Sequence, residues 1–301
     1  RRDPGPYGRR VAQHRDEEPV DDELPGYRTD TGVVELMADE DRPGGWLLTL
    51  DRIGQSYVDL EDPTYLEFEY MQAFADAVES FFPDRQRLDV THVGGGGLSF
   101  PRYLLEVRPG SSQIVLEPDA ALTALVRARL PLPARSGIRV RPVAGRVGLG
   151  ALANASADLV VLDAFAGGRV PGDLTTAEAF ADAARVLRPG GLFVANIADG
   201  PPLDYTRRLL AGLRGVFGHI LVRTDPAVRK KRFGNLVVAA STVALPTAEL
   251  VRRAHGAMLP TTVLSGPELE RLVATARPWT DLDSSGSPQP SELTWRIDGG
   301  W

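Results

Sequence analysis

The sequence predicts an α/β protein whose sheet is mostly parallel and covered by helices on both faces. Three observations carry this. From about residue 88 to 241, short β-branched runs alternate with amphipathic stretches of about 10 to 14 residues, the rhythm of βαβ units. Runs such as "SQIVLEPD" and "ADLVVLDAF" are apolar nearly throughout, as strands buried on both faces must be. The stretch before residue 63 reads differently. There "TGVVELMAD" and "GWLLTLDRIGQSYVDL" flank the turn signal "EDRPGG", which predicts a β-hairpin or small meander.

Taken in order, "TYLEFEYMQAFADAVESFF" has helical spacing, with Tyr65, Phe68, Met71, Phe74 and Val78 on one side. "RLDVTHV", "SQIVLEPD", "IRVRPV", "ADLVVLDAF" and "GLFVANIAD" read as strands. "FPRYLLEVR", "ALTALVRARL", "TAEAFADAARVL" and "DYTRRLLAGLRGVF" read as the helices among them. "HILVRTD" and "NLVVAAS" have no helix between them and predict an antiparallel pair at one edge. "AELVRRAHGAM" and "GPELERLVATAR" are two further helices. The chain therefore divides into a flexible arm (1–26), a small β-domain (27–62), an α/β domain (63–245), C-terminal helices (246–280) and a flexible tail (281–301).

Composition narrows the function. A net charge of −6 argues against a protein whose main work is gripping nucleic acid. With no cysteine there are no disulfides or thiolate ligands, and His14, His92, His219 and His255 show no metal-binding spacing, so no metal is expected. No apolar run nears the roughly 20 residues needed to span a bilayer, and no signal-peptide pattern opens the sequence. The expectation is a cytoplasmic protein without a membrane partner.

"THVGGGGLSFPRYL" places Gly94, Gly95, Gly96 and Gly97 at the first turn from strand to helix, the usual ligand crevice of such sheets. Glycine permits positive φ and close approach of backbone to a ligand. About 20 residues on, Glu117 ends the next strand, where an acid takes ribose hydroxyls. The pair points to an adenine-nucleoside ligand, either a dinucleotide or an S-adenosyl compound. Asp163, at the end of "ADLVVLDAF", faces the same crevice and is a candidate base.

Five segments resemble the polyamine aminopropyltransferases, the spermidine synthase family. They are "LDRIGQSYVDLEDPTYLEF", "HVGGGGLSFPRYL", "VLEPD", "VVLDAFAGGRVPGDLTTAEAF" and "RPGGLFVAN", in matching order between Gly32 and Ser241. The bacterial spermidine synthase-like branch, with "DAF", is the nearest in pattern. The resemblance implies a small N-terminal β-domain on a seven-strand, Rossmann-like fold of the class I methyltransferase type. It implies decarboxylated S-adenosylmethionine as co-substrate with methylthioadenosine as product, no permanently bound cofactor, a polyamine or other small amine as acceptor, and a homodimer. By position, Asp163 is the base that deprotonates the attacking amine and Gln55 contacts the donor. Gly94, Gly95 and Gly96 seat the nucleoside, Glu117 binds its ribose, and Asp119 and Gly145 complete the nucleoside contacts.

The pattern also breaks. The second acid that holds the distal ammonium of the polyamine is missing from "AFAGG". Leu66 stands where the family's Tyr-(His/Gln)-Glu-Met segment, matched here to Tyr65–Phe68, has a polar residue. The acid that reads the adenine amino group falls near Gly145 and Arg146, neither acidic. "DPAVRKKRFGN" replaces the acceptor segment and brings Arg229, Lys230, Lys231 and Arg232, a run that is either a solvated loop or a barrier to cationic acceptors. An S-adenosylmethionine-dependent methyltransferase and a non-catalytic nucleoside-binding homologue are the alternatives.

Overall fold

The computed structural model describes residues 26–289. Residues 1–25 of the expected arm and 290–301 of the expected tail lie outside the described residues. Two sheets are present.

The smaller sheet is antiparallel, in the order β1 (Tyr27–Arg28), β2 (Val33–Ala38), β3 (Gly45–Leu50), β4 (Ile53–Asp59). The run "GWLLTLDRIGQSYVDL" supplies two of these strands, so of the two expected arrangements the small meander is the one formed. Asp51 and Arg52, at φ 50° and 65°, make a two-residue turn between the paired Leu50 and Ile53. Both residues are left-handed, as the tightest hairpins require. No glycine or asparagine marks that turn. Asp51 fixes it by accepting a hydrogen bond from the Val33 N–H at 2.9 Å.

The larger sheet contains β5 (Asp89–Val93), β6 (Ser112–Leu116), β7 (Ile138–Arg141), β8 (Ala157–Leu162), β9 (Leu187–Asp199), β10 (His219–Thr224), β11 (Gly234–Ser241) and β12 (Thr262–Leu264). Its order is β12-β10-β11-β9-β8-β5-β6-β7. β5 to β9 pair in parallel, and β11 runs antiparallel between β9 and β10. This is the seven-strand class I methyltransferase arrangement with β12 added at the edge. At three residues, β12 is too short to announce itself by periodicity.

Helices α1 (Glu69–Phe81), α2 (Ser99–Val107) and α7 (Thr247–Gly256) cover one face. Helices α4 (Gly145–Ala151), α5 (Ala177–Val186), α6 (Asp204–Leu213) and α8 (Gly266–Val273) cover the other. Strand β8 shows how one strand serves both: Leu159 and Val161 pack with Phe74 and Phe100, Val160 and Leu162 with Phe180 and Leu209. Helix α3 (Ala120–Arg129) packs between the sheets, where Leu122 and Val126 join Val34, Leu48 and Val58 in one buried cluster. Among the described residues no helix is long and apolar enough to cross a membrane.

Residues 281–289, the first part of the expected tail, lie against the α/β domain. Ser287 is fully buried there.

Candidate active site

The strand order reverses between β5 and β8, and a cavity of about 210 Å³ opens beyond their carboxyl ends. It receives Gly94, Gly95, Gly96, Glu117, Gly145 and Asp163 from the larger sheet and Gln55 from β4. Asp119 does not reach it. That buried residue caps α3 by accepting from the Leu122 N–H at 2.7 Å, and it also accepts from the Thr31 hydroxyl at 2.6 Å. A short acid directly before a helix is used up satisfying the exposed N–H groups there. Asp119 instead ties the smaller sheet to the larger.

The glycines make room for protein as well as ligand. At Gly94 (φ 100°) a Cβ would come within 2.1 Å of the Asp163 carbonyl oxygen. At Gly96 (φ 49°) it would come within 2.5 Å of the Ser56 hydroxyl. The loop is therefore pressed against β8 on one side and β4 on the other. Ser56 accepts from the Gly97 N–H at 2.9 Å, and the Ser99 hydroxyl donates to the Tyr57 carbonyl at 2.6 Å.

Glu117 is fixed by its backbone surroundings. Its carboxylate accepts from the N–H groups of Gly95 and Asp119, each at 2.9 Å. Burial pushes its pKa up, while the N–H groups of Asp119, Gly95 and Gly96 pull it down. An oriented carboxylate with lone pairs left over suits a vicinal diol.

Asp163 lies at the opposite wall. Burial pushes its carboxyl up to about 6, opposed by the Asn196 amide, which donates at 3.0 Å, and by the Tyr70 phenol. A carboxylate held near neutrality is suited to accepting a proton at pH 7. Asn196 is buried, and its own carbonyl oxygen has no partner.

Tyr70 is shared by this cavity and two neighbouring ones. With Gln55, Phe165, Asn196 and Asn235 it lines a chamber of about 50 Å³. With Glu67, Glu69, Asp225 and Arg232 it lines a wider cleft of about 510 Å³. Of the four basic residues at 229–232, only Arg232 lines that cleft, and it is paired with Asp225. Arg229 pairs with Glu268 at 2.8 Å.

Four site residues escape the sequence reading: Ser56, Tyr70, Asp173 and Asn196. Tyr70 sits in the first turn of α1, just past the segment matched to the family motif, whose Tyr65 hydroxyl is taken by Glu67 at 2.5 Å. Asp173 lies in the single 3-10 turn Gly172–Leu174, next to Leu174, whose side chain packs against Gly145.

A crystal structure of a probable spermidine synthase from Corynebacterium glutamicum superposes with a TM-score of 0.81 and 32% identity, over 85% of this chain and 96% of that one. The chain belongs to the polyamine aminopropyltransferase (spermidine synthase) family. A polyamine aminopropyltransferase of Chromobacterium violaceum is 29% identical over 142 residues, 47% of this chain and 53% of the relative. The match thus spans about half the length of that curated aminopropyltransferase. Human methyltransferase-like protein 13, solved in complex with SAH, shares the fold at a TM-score of 0.50 and 21% identity, over 70% of this chain and 93% of that one. No family model matches the chain.

Proposed function

We propose that this aminopropyltransferase-family chain moves an aminopropyl group from decarboxylated S-adenosylmethionine to a small amine. The observation that carries the reading is the charge of the cavity. Its lining includes three carboxylates, Glu117, Asp163 and Asp173, and neither Arg nor Lys. His92 adds no positive charge, because burial lowers its pKa to about 4. The decarboxylated donor carries a sulfonium and an ammonium and no carboxylate, so it suits such a wall. Intact S-adenosylmethionine brings a carboxylate for which the lining offers no cation. The methyltransferase alternative is weaker on that ground.

In this reading Glu117 accepts from the ribose hydroxyls, and Asp173 supplies the acid for the adenine amino group that Gly145 lacks. Tyr70 and Gln55 stand where the cavity meets the chamber beyond, so the amine approaches from that side. Its nitrogen attacks the propyl carbon beside the sulfonium. The N–C bond forms, the C–S bond breaks with its electron pair on sulfur, and methylthioadenosine leaves. The proton lost by the new ammonium passes to Asp163. Alignment supplies much of the acceleration and the base the rest.

The test is release of methylthioadenosine from the decarboxylated donor across a panel of mono-, di- and polyamines. Product with at least one amine is expected, and no product with any would overturn the reading. Calorimetry with both S-adenosyl compounds is expected to favour the decarboxylated form.

A further inference from the structure

The loop after Asp163, "AFAGGRVPGDL", forms one wall of the nucleoside cavity through Ala164, Phe165, Pro171, Asp173 and Leu174. Its own hydrogen bonding is sparse. Ala166 and Arg169 exchange backbone bonds of 2.8 and 3.1 Å around Gly167 and Gly168. The two glycines leave that turn conformationally permissive.

Support comes from more than 100 residues further along the chain. The Arg169 guanidinium donates to the carbonyls of Ser287 at 2.6 Å and Gly286 at 3.1 Å. The Val170 N–H donates to the Ser287 hydroxyl at 2.9 Å, and the Ser287 N–H donates back to the Val170 carbonyl at 3.0 Å. Ser287 and Val170 are both fully buried. Ser285 runs so close to the loop that a Cβ on Gly172 would lie 2.6 Å from its carbonyl carbon. The near end of the same segment is anchored separately: Asp281 accepts from the Thr176 hydroxyl at 2.7 Å and pairs with Arg146 at 3.3 Å, and Asp283 pairs with Arg208. No residue of 281–289 lines the cavity.

We infer that segment 281–289 is a strap that holds the loop in its donor-binding shape, with Arg169 and Ser287 as positioning residues for the nucleoside site. The inference rests on the donor reading above for its ligand. The strap acts on affinity because a loop that visits other shapes lowers the fraction of competent protein, and the apparent Kd rises by the inverse of that fraction. Each fastening bond is of ordinary strength, but four of them meet within two residues on either side.

The test uses full-length Arg169→Ala/Ser287→Ala protein, with Arg169→Lys as the conservative variant. Two quantities are measured: the Kd of methylthioadenosine by calorimetry, and hydrogen exchange of the Ala166 amide, which donates to the Arg169 carbonyl at 2.8 Å. The double variant is expected to bind roughly tenfold more weakly and to exchange at Ala166 faster by a similar factor. In turnover the donor KM rises accordingly while kcat stays within about threefold, a split that general loss of stability does not produce. Arg169→Lys keeps a cationic donor but loses the planar fork that reaches both carbonyls, and is expected to fall between. It also stands in for the double variant should that fail to fold. A folded variant with Kd and exchange both within twofold of the parent overturns the strap. If the parent itself does not bind methylthioadenosine, the donor reading falls, and the exchange rates alone decide the strap.

Discussion

The candidate active site has two ends, one proposed for the nucleoside and one for the amine, and they are built in different ways. The nucleoside end is made of short contiguous segments at successive strand ends: the glycine loop after β5, Glu117 after β6, Gly145 after β7 and Asp163 after β8. The amine end gathers single residues from distant elements: Gln55 of β4, Tyr70 of α1, Asn196 of β9 and Asn235 of β11. The first construction depends on backbone N–H groups and close approach, so it tolerates little change. The second depends mainly on side chains, and substitution there is expected to alter selectivity at modest cost to the fold.

The sharpest way to break this comparison is Asp163→Asn, at a residue that lines the first end and is hydrogen-bonded to Asn196 and Tyr70 of the second. It is expected to lower kcat by roughly 10²- to 10⁴-fold while leaving the Kd of methylthioadenosine within about threefold. A large loss of binding would place Asp163 in nucleoside recognition instead. Next comes Glu117→Gln, confined to the nucleoside end. Losing a charge-assisted bond of about 1.5–3 kcal/mol should weaken methylthioadenosine binding roughly 10- to 100-fold, with acceptor preference unchanged in competition assays. Tyr70→Phe addresses the amine end. The phenol pulls the Asp163 pKa down from where burial would put it, so its removal raises a value already near 6. The rate depends on the carboxylate, so it falls as pH drops through that pKa. In the variant the acidic limb of kcat/KM should move to higher pH, with a loss of about tenfold at pH 6. An unmoved limb would separate Tyr70 from the base. The smallest effect is expected for Arg232→Ala. Its guanidinium is 59% exposed and already paired with Asp225, so acceptor KM should change less than about threefold. A tenfold fall in KM would show that the basic run does repel the acceptor.

The same contrast explains what the sequence made legible. Parallel strands end on one edge of the sheet, so residues spaced by βαβ units converge there, and the sequence alone puts Gly94, Glu117 and Asp163 in one crevice, whereas Gly145 is found only through the family resemblance. Asp119 shared that position in sequence, but local helix capping outcompetes the ligand for a short acid just before α3. Tyr70 was hidden because Tyr65 and Phe68 continue the apolar spacing of α1, although the helix starts only at Glu69. Asn196 closes the quoted run "RPGGLFVAN", yet its role needs the pairing of β8 with β9 that brings it to Asp163. The Asp51–Arg52 turn carries neither glycine nor asparagine, so the sequence does not mark where β3 ends and β4 begins.

The contact of Ser56 with the glycine loop has a thermodynamic consequence. The smaller sheet is joined to the larger through Ser56, Thr31 and the cluster around Leu122, and these flank the cavity that the nucleoside would fill. A ligand seated there bolts the two sheets together, and separating them means losing it. Saturating methylthioadenosine, at about 100 times its Kd, then adds roughly 2.7 kcal/mol to the joint. Melting should become more cooperative as well as later, with the small sheet no longer free to peel away first.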